Sequence, residues 1–490
     1  MQVNTPIRPL RHDNGSVSCE GPVRMLQAPV QSPSGWDTDL VRRYDLSGPR
    51  YTSYPTAPHF LDSLGSDQVK NLLRESNRQA RPLSLYTHIP FCDTLCYYCG
   101  CHKTVSTNKS RSLPYLQGVI KEMAIYGELI DASRPVKQLH WGGGTPTYIS
   151  DEEMSLLMTA TGRYFQLLDD DSGEYGIEIH PGRVSIETML HLRKLGFNRV
   201  SMGIQDFDLR VQQAVNRFNS LPEVTRLVKA LRQQCYHSLS MDLIYGLPLQ
   251  TETSFSETLH RVIELSPDRL SIFNYAHLPE KFKSQRMIRE ADLPSGQQKL
   301  DIFFRAMEIL QAAGYLHLGM DHFAKPDDGL GKALQDRSIQ RNFQGYSTHG
   351  DCDLLAFGVS SISSLAATYY QNTRDLSLYQ QCVNNGELPI SKSCRLSDDD
   401  LLRRYVINQI ICHGELDFAD VETRFGINAM LYFTHELFEL DAMVQDGLLS
   451  IGAKGLQVLP AGRLLVRRIC MVFDRYLQRI PAPVLYSKII

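Results

Sequence analysis

Apolar residues fall along this chain in two alternating patterns. Short apolar runs stand at 83–89, 136–141, 176–180, 199–204, 238–245 and 269–275. Between them lie stretches such as 115–130, 185–195 and 223–233, whose apolar positions share one helical face. The short runs suit strands and the longer stretches suit amphipathic helices. Strand and helix in alternation predict an α/β fold with parallel strands and helices outside them. Six such units fall short of the eight that close a TIM barrel.

Beyond about Thr373 the pattern turns mainly helical, with apolar periodicity at 401–412 and 428–440. Residues 448–451 and 456–459 read as a hairpin across Ala453-Lys454-Gly455, with a helix from Ala461. Helix, hairpin and helix resemble a winged-helix arrangement, and Arg463, Arg467 and Arg468 add basic charge. A helical cap packed on the barrel is the preferred reading, because fold alone does not imply DNA binding. The first 35 residues hold Pro, Ser, Gly, Asn and Gln without periodicity and are expected to be disordered. The expected organisation is an extension over 1–36, an α/β domain over 37–372 and a helical domain over 373–490.

The 490 residues, 42% hydrophobic and 21% charged, give ample core for two or three domains. A net charge of -3 argues against nucleic acid as a whole-surface partner. No run of 18 apolar residues predicts a membrane span, and no apolar secretory segment opens the chain. Of the eleven cysteines, seven are scattered singly, which suits reduced thiols in a cytoplasm.

The other four, Cys92, Cys96, Cys99 and Cys101, fall within ten residues as C-x3-C-x2-C-x-C, just past the strand at 83–89. Thiols this dense point to a metal or cluster, since packing alone does not require them. Structural zinc prefers two separated Cys/His pairs, and no second pair at such spacing stands downstream. C-x3-C-x2-C resembles the radical-SAM superfamily. There three thiolates hold three irons of a 4Fe-4S cluster, and the fourth iron binds S-adenosylmethionine. Cys92, Cys96 and Cys99 match that pattern, leaving Cys101 supernumerary.

Further blocks narrow the resemblance. H-I-P-F-C-x3-C-Y-Y-C-G-C-x-K is followed by H-W-G-G-G-T-P-T at 140–147, V-S-M-G-I-Q-D-F at 200–207, I-Y-G-L-P at 244–248 and R-N-F-Q-G-Y at 341–346. With S-G-P-R-Y-T-S-Y-P-T at 47–56, F-N-Y-A-H-L-P at 273–279 and G-M-D-H-F-A at 319–324, these resemble the oxygen-independent coproporphyrinogen III oxidase family. The likeness runs from about Tyr44 to the C-terminus.

That resemblance implies an open (β/α)6 partial TIM-type barrel, a 4Fe-4S cluster and two molecules of S-adenosylmethionine. It implies that Gly143, Gly144 and Thr145 hold the methionine portion and that Glu178 binds the ribose, with Tyr86 and Glu178 central to catalysis. A run of three glycines also lets a ligand approach the backbone and leaves N–H groups for a carboxylate. Gln205, Arg217 and Asp242 match positions for the second S-adenosylmethionine, while Tyr86, Tyr98, Ala276 and Ile362 match further cofactor contacts. Arg217 reads as part of a helix, and His88 reads equally as a core histidine. His180, His102 and His349 depart from the family pattern. The 341–346 block is a candidate for recognising the substrate, with loop packing as the alternative, and Arg50 is a candidate for its carboxylates.

The reaction so implied converts two propionates of coproporphyrinogen III to vinyl groups, giving protoporphyrinogen IX in haem biosynthesis. An electron donor, a terminal acceptor of unknown identity and a monomeric, cytoplasmic protein complete the expectation. A haem chaperone of the same superfamily is the alternative.

Overall fold

The computed structural model describes residues 38–477, so the extension expected over 1–36 lies outside the described residues. Six strands follow one another in the chain and across the sheet: β1 (Leu83–Ile89), β2 (Pro135–Gly143), β3 (Glu174–Ile179), β4 (Arg199–Gln205), β5 (Ser238–Tyr245) and β6 (Arg269–Asn274). All are paired in parallel. Each is followed by a helix: α1 (Ser112–Gly127), α2 (Asp151–Tyr164), α3 (Ile186–Lys194), α4 (Leu221–Gln233), α5 (Glu252–Leu265) and α6 (Gly296–Ala312).

The strands alternate as the sequence does. Leu85, Leu139, Ile177, Met202, Met241 and Ile272 are buried in the main core. Their neighbours Tyr86, His140, Glu178, Ser201, Asp242 and Ser271 line cavities on the opposite face. A period of two thus sorts core from site.

The sheet is larger than six strands. Beyond β6 come β7 (Leu316–Gly319) and β8 (His322–Ala324), antiparallel, with β8 against β6. A separate hairpin joins β9 (Gln340–Asn342) to β10 (Gly345–Ser347). On the other side of β1 a seventh parallel strand, β11 (Asp353–Phe357), is added. It continues antiparallel through β12 (Ile362–Leu365), β13 (Thr368–Asn372) and β14 (Ile390–Arg395). Among the described residues no pairing joins the outer strands β7 and β14, so this mixed α/β sheet is not a closed barrel. The run Asp353-Leu354-Leu355-Ala356-Phe357 is buried throughout and shows no alternation, which is why its pattern does not announce a strand.

Beyond the sheet, α7 (Asp398–His413) starts on a capping box between Ser397 and Asp400 and ends at Gly414 in the left-handed region. The expected hairpin is present, as Leu449–Gly452 paired with Gly455–Val458. The continuous helix expected over 428–440 is instead broken into Ala429–Tyr432, Thr434–Glu439 and Asp441–Gln445. Asn428 caps the first of these pieces, and Phe433 leaves helical geometry between the first two. The helix expected from Ala461 starts only at Val466, after a single turn at Pro460–Gly462. This α8 (Val466–Val472), the last among the described residues, buries Arg467, whose guanidinium donates to the carbonyls of Gly48 and Pro49. That arginine is not displayed to a polyanion.

Candidate active site

The cysteine loop leaves β1 at Ile89 and is held by its backbone. Phe91–Cys92 pairs in parallel with Thr104–Val105, closing the loop at its base. Tyr97 N–H donates to the Val215 carbonyl at 3.0 Å, and Asn216 Nδ2 donates to the Leu95 carbonyl at 2.8 Å. Gln285 Nε2 reaches the carbonyls of Tyr98 and Ala276 at 3.0 and 3.2 Å. Lys103 Nζ donates to the Cys99 carbonyl at 2.9 Å. The fold therefore shapes the loop through its backbone, with no disulfide among the described cysteines.

Cys92, Cys96 and Cys99 are all free thiols. Thr145 Oγ1 lies 3.6 Å from Cys92 Sγ, and Arg217 Nη1 lies 3.9 Å from Cys96 Sγ. A hydrogen bond from Cys101, aided by Lys103, holds Cys99 down to about 6, whereas burial pushes Cys92 up to about 11. No three His, Cys, Asp or Glu side chains among the described residues converge on one ion. A 4Fe-4S cluster does not require that, since each thiolate serves a different iron. Three free thiols on one loop are a donor set that suits such a cluster.

Beside the loop, a cavity of about 450 Å³ is lined by Tyr86, Gly143, Glu178 and Ile362 together with His88, Cys101, His102 and His140. Glu178 Oε2 accepts from Gly143 N–H at 3.1 Å, and Oε1 faces His140 Nε2 at 3.3 Å. Burial opposes ionisation of Glu178, but His140 and the Gly143 N–H outweigh it and hold the carboxyl below its usual value. Tyr86 stacks on His140 with ring centres 6.0 Å apart. The Tyr86 hydroxyl stands 3.1 Å from His88 Nδ1, while His88 Nε2 stands 3.0 Å from the His102 carbonyl. Only a donating Nε2 suits that carbonyl, so Nδ1 accepts from Tyr86. Burial lowers His88 to about 4, consistent with this neutral ring. His88 is thus a tether between β1 and the cysteine loop.

The glycine run differs from expectation in one respect. Its N–H groups are not free: Gly143 donates to Glu178, Gly144 to the Ile89 carbonyl and Thr145 to the Phe91 carbonyl. What the run supplies is closeness. A Cβ on Gly143, at φ +117°, would stand 2.6 Å from the His88 ring, and one on Gly144 would stand 2.6 Å from the Phe91 carbonyl.

A second group lies on and beside the paired strands β4 and β5, with Arg217 next to Cys96. Arg217 is buried and lies past the end of the helix Leu209–Val215, which Asn216 terminates in the left-handed region. It is therefore neither helical nor a surface arginine. Arg217 Nη2 donates to the Gly203 carbonyl, and a Cβ on Gly203 would meet both Arg217 Nη2 and Gln205 Nε2 within 3 Å. Arg217 Nε and Gln205 Oε1 are buried without partners, as a ligand-receiving pair would be before its ligand is added. Asp242 Oδ2 accepts from Ser201 at 2.9 Å, and burial raises its pKa. Tyr98 packs in the small apolar cluster with Val215, Ile244 and Tyr275, one residue from Ala276. Ala276 and Ile362 are half-buried rather than core.

The histidines that depart from the family pattern part company. His102 lines the Glu178 cavity, while His180 faces a separate groove with Gly182 and Phe218, and burial near Arg217 and Arg183 lowers it to about 2. Arg50 is bound to Asp321 at 2.6 Å and lies outside the Glu178 cavity. Phe343 and Gln344, in the block read for substrate, line that cavity directly. Asn216 and Gln285 were not legible as site residues, because their work is done on backbone carbonyls.

The radical SAM superfamily profile matches residues 86–262, and the HemN C-terminal domain profile matches residues 396–465. The chain is 52% identical over 442 residues to an oxygen-independent coproporphyrinogen III oxidase of Pseudomonas aeruginosa, covering 90% of this chain and 96% of that one. It is 45% identical to the Escherichia coli protein of that name, covering 93% and 98%. The solved structure of the Escherichia coli coproporphyrinogen III oxidase HemN, described as a radical SAM enzyme, superposes with a TM-score of 0.85 over 90% of this chain, at 44% identity. None of these relatives is named a haem chaperone. The chain belongs to the oxygen-independent coproporphyrinogen III oxidase family of the radical SAM superfamily.

Proposed function

We propose that this protein carries out the oxidative decarboxylation of two propionates of coproporphyrinogen III. Each –CH2–CH2–COO⁻ loses one hydrogen atom from its β-carbon, CO2 and one electron, leaving a vinyl group. The observation that carries the reading is near full-length identity to named oxidases, supported by three free thiols on the loop that leaves β1 and by Glu178 bonded to the glycine run at the neighbouring strand ends.

In this reading Cys92, Cys96 and Cys99 hold a 4Fe-4S cluster, and two molecules of S-adenosylmethionine bind beside it. When bound, these supply the carbon-centred radical that removes the hydrogen atom. The rest falls to the chain's own groups. Glu178, kept ionised by His140 and Gly143, accepts from ribose hydroxyls. Tyr86 and Ile362 wall the adenosine, and Gly143, Gly144 and Thr145 admit the methionine end close to the backbone. Gln205, Arg217 and Asp242, with Tyr98 and Ala276 behind them, receive the second molecule. The unpartnered atoms of Gln205 and Arg217 support that assignment.

We read the six parallel strands as an open (β/α)6 partial barrel, with its wide mouth suited to a tetrapyrrole. We place the start of the helical unit near residue 396, where the C-terminal domain match begins, rather than at the expected 373, because Ile390–Arg395 is still paired into the main sheet. We keep the monomeric, cytoplasmic protein that the family resemblance implies; the ten described cysteines are all free, which suits a reducing compartment. A separate electron donor and a terminal acceptor are required by the electron count.

The test is anaerobic turnover of the iron-loaded protein with reductant, S-adenosylmethionine, coproporphyrinogen III and a cell extract as the acceptor source. Protoporphyrin and 5′-deoxyadenosine should appear together. Deoxyadenosine without protoporphyrin, in an extract that supports a related oxidase, would refute the assigned substrate.

A further inference from the structure

A second and larger cavity, of about 760 Å³, lies between the start of β1, the β9–β10 hairpin and α7. Phe343 and Leu354 line both this chamber and the Glu178 cavity, so the two are neighbours. We propose that the chamber binds the propionates of the tetrapyrrole that do not react; the proposal rests on the oxidase reading above.

The first reason is charge. Arg81, Arg341, Arg404 and Arg424 line the chamber, against Asp351 and Asp353. Asp353 is spoken for by buried Arg134 at 2.5 Å, and Asp351 stands 4.0 Å from Lys137. Arg424 has its own partner in Asp420 at 3.1 Å. Arg404 donates only to the Tyr369 hydroxyl at 3.2 Å, and among the described residues neither it nor Arg81 has a carboxylate partner. Uncompensated positive charge in a concave, partly apolar site attracts and holds anions.

The second reason is Arg341 itself, which is 8% exposed. Its Nε donates to the Arg50 carbonyl at 3.1 Å, and its guanidinium lies 4.7 Å from the Tyr346 ring centre. Its Nη1 is buried and has no acceptor. A buried donor left unpaired is costly, more so when charged. A carboxylate is the ligand whose geometry a guanidinium fork matches best.

The third reason is the walls. Phe343 and Tyr369, edge to face at 5.4 Å, give the chamber flat apolar surfaces. A pyrrole ring could lie on these while its carboxylate met Arg341 at the rear and Arg404 beside it. Substrate lying across Phe343 would then present its reacting edge to the Glu178 cavity.

The product offers a specific check, because protoporphyrinogen IX keeps the two unreacted propionates. Anaerobic equilibrium binding of coproporphyrinogen III and protoporphyrinogen IX would be measured on the full, iron-loaded chain and on Arg341→Gln and Arg404→Gln. Iron content and circular dichroism would report folding. R341Q should weaken both tetrapyrroles tenfold or more and by similar factors, with R404Q severalfold weaker for both. Unchanged binding in folded R341Q overturns the proposal; should R341Q not fold, unchanged binding in R404Q does so. Wild-type protein that binds neither tetrapyrrole overturns this proposal and the oxidase reading together. Binding that the variants lose, with no vinyl product from wild type, keeps the chamber and sinks the oxidase reading alone.

Discussion

Glu178 shows how much one residue's role depends on its neighbours. Its carboxylate is aimed by a backbone N–H and a histidine ring, which hold it ionised and directed into the cavity. Glu178→Gln removes the charge from bonds that are individually worth about 1.5–3 kcal/mol. S-adenosylmethionine binding should therefore weaken by roughly 10–100-fold in equilibrium dialysis, with iron content unchanged. Replacing Cys92, Cys96 or Cys99 by Ser should abolish the visible absorption of the reconstituted cluster and with it all deoxyadenosine formation. A variant retaining full iron would remove that cysteine from the ligand set. That Glu178 and the glycine run meet beside the cysteine loop was legible because they stand at consecutive strand ends; that the run's N–H groups are already taken was not. The tether role of His88 was not, since it depends on the His102 carbonyl, 3.0 Å away across the loop.

At the scale of elements, Glu122 on α1 binds the helix to the far edge of the sheet. It accepts from Gly358 N–H at 2.8 Å, the Tyr379 hydroxyl at 2.6 Å and Asn372 Nδ2 at 2.7 Å. Burial pushes its carboxyl up to about 7 despite these donors, from the ordinary 4.5 of an unfolded chain. The folded state thus binds the proton more tightly. Its contribution to stability is fully present below about pH 4.5 and is lost as pH rises through about 7. The difference is on the order of a few kcal/mol. Glu122→Gln should cancel that slope, measured as denaturation midpoints from pH 5 to 8; an unaltered slope would locate the titration elsewhere. The six β/α units were readable because each strand alternates core and cavity residues. The strand Asp353–Phe357 and the strands beyond it were not, being uniformly buried or fixed by pairings distant in sequence. The helix expected over 428–440 failed for a local reason, the departure from helical geometry at Phe433.

Across the whole molecule, buried ion pairs tie remote segments together. Arg134, just before β2, reaches Asp353 at the start of β11, with both side chains almost fully buried. Arg403 on α7 reaches Glu436 at 2.8 Å and the Phe473 carbonyl at 3.0 Å, joining three parts of the C-terminal unit. Removing one partner of such a pair leaves a buried charge and costs about 3–5 kcal/mol. Arg134→Met should accordingly lower the denaturation midpoint while leaving the affinity of folded protein for S-adenosylmethionine intact. Arg467 and Arg341 converge on the carbonyls of residues 48–50, so the N-terminal approach to the sheet is anchored from both the hairpin and the last helix. None of these pairings has a local signature, which is why the larger cavity could not be seen in the chain's pattern.

The most direct measurement follows the transferred hydrogen. Coproporphyrinogen III deuterated at the propionate β-carbons would be turned over anaerobically by the iron-loaded protein, and the 5′-deoxyadenosine examined by mass spectrometry. One deuterium in each deoxyadenosine, with two deoxyadenosines per protoporphyrinogen IX, is the predicted result. Unlabelled deoxyadenosine formed alongside vinyl product would contradict the account, because hydrogen would then leave the substrate by another route.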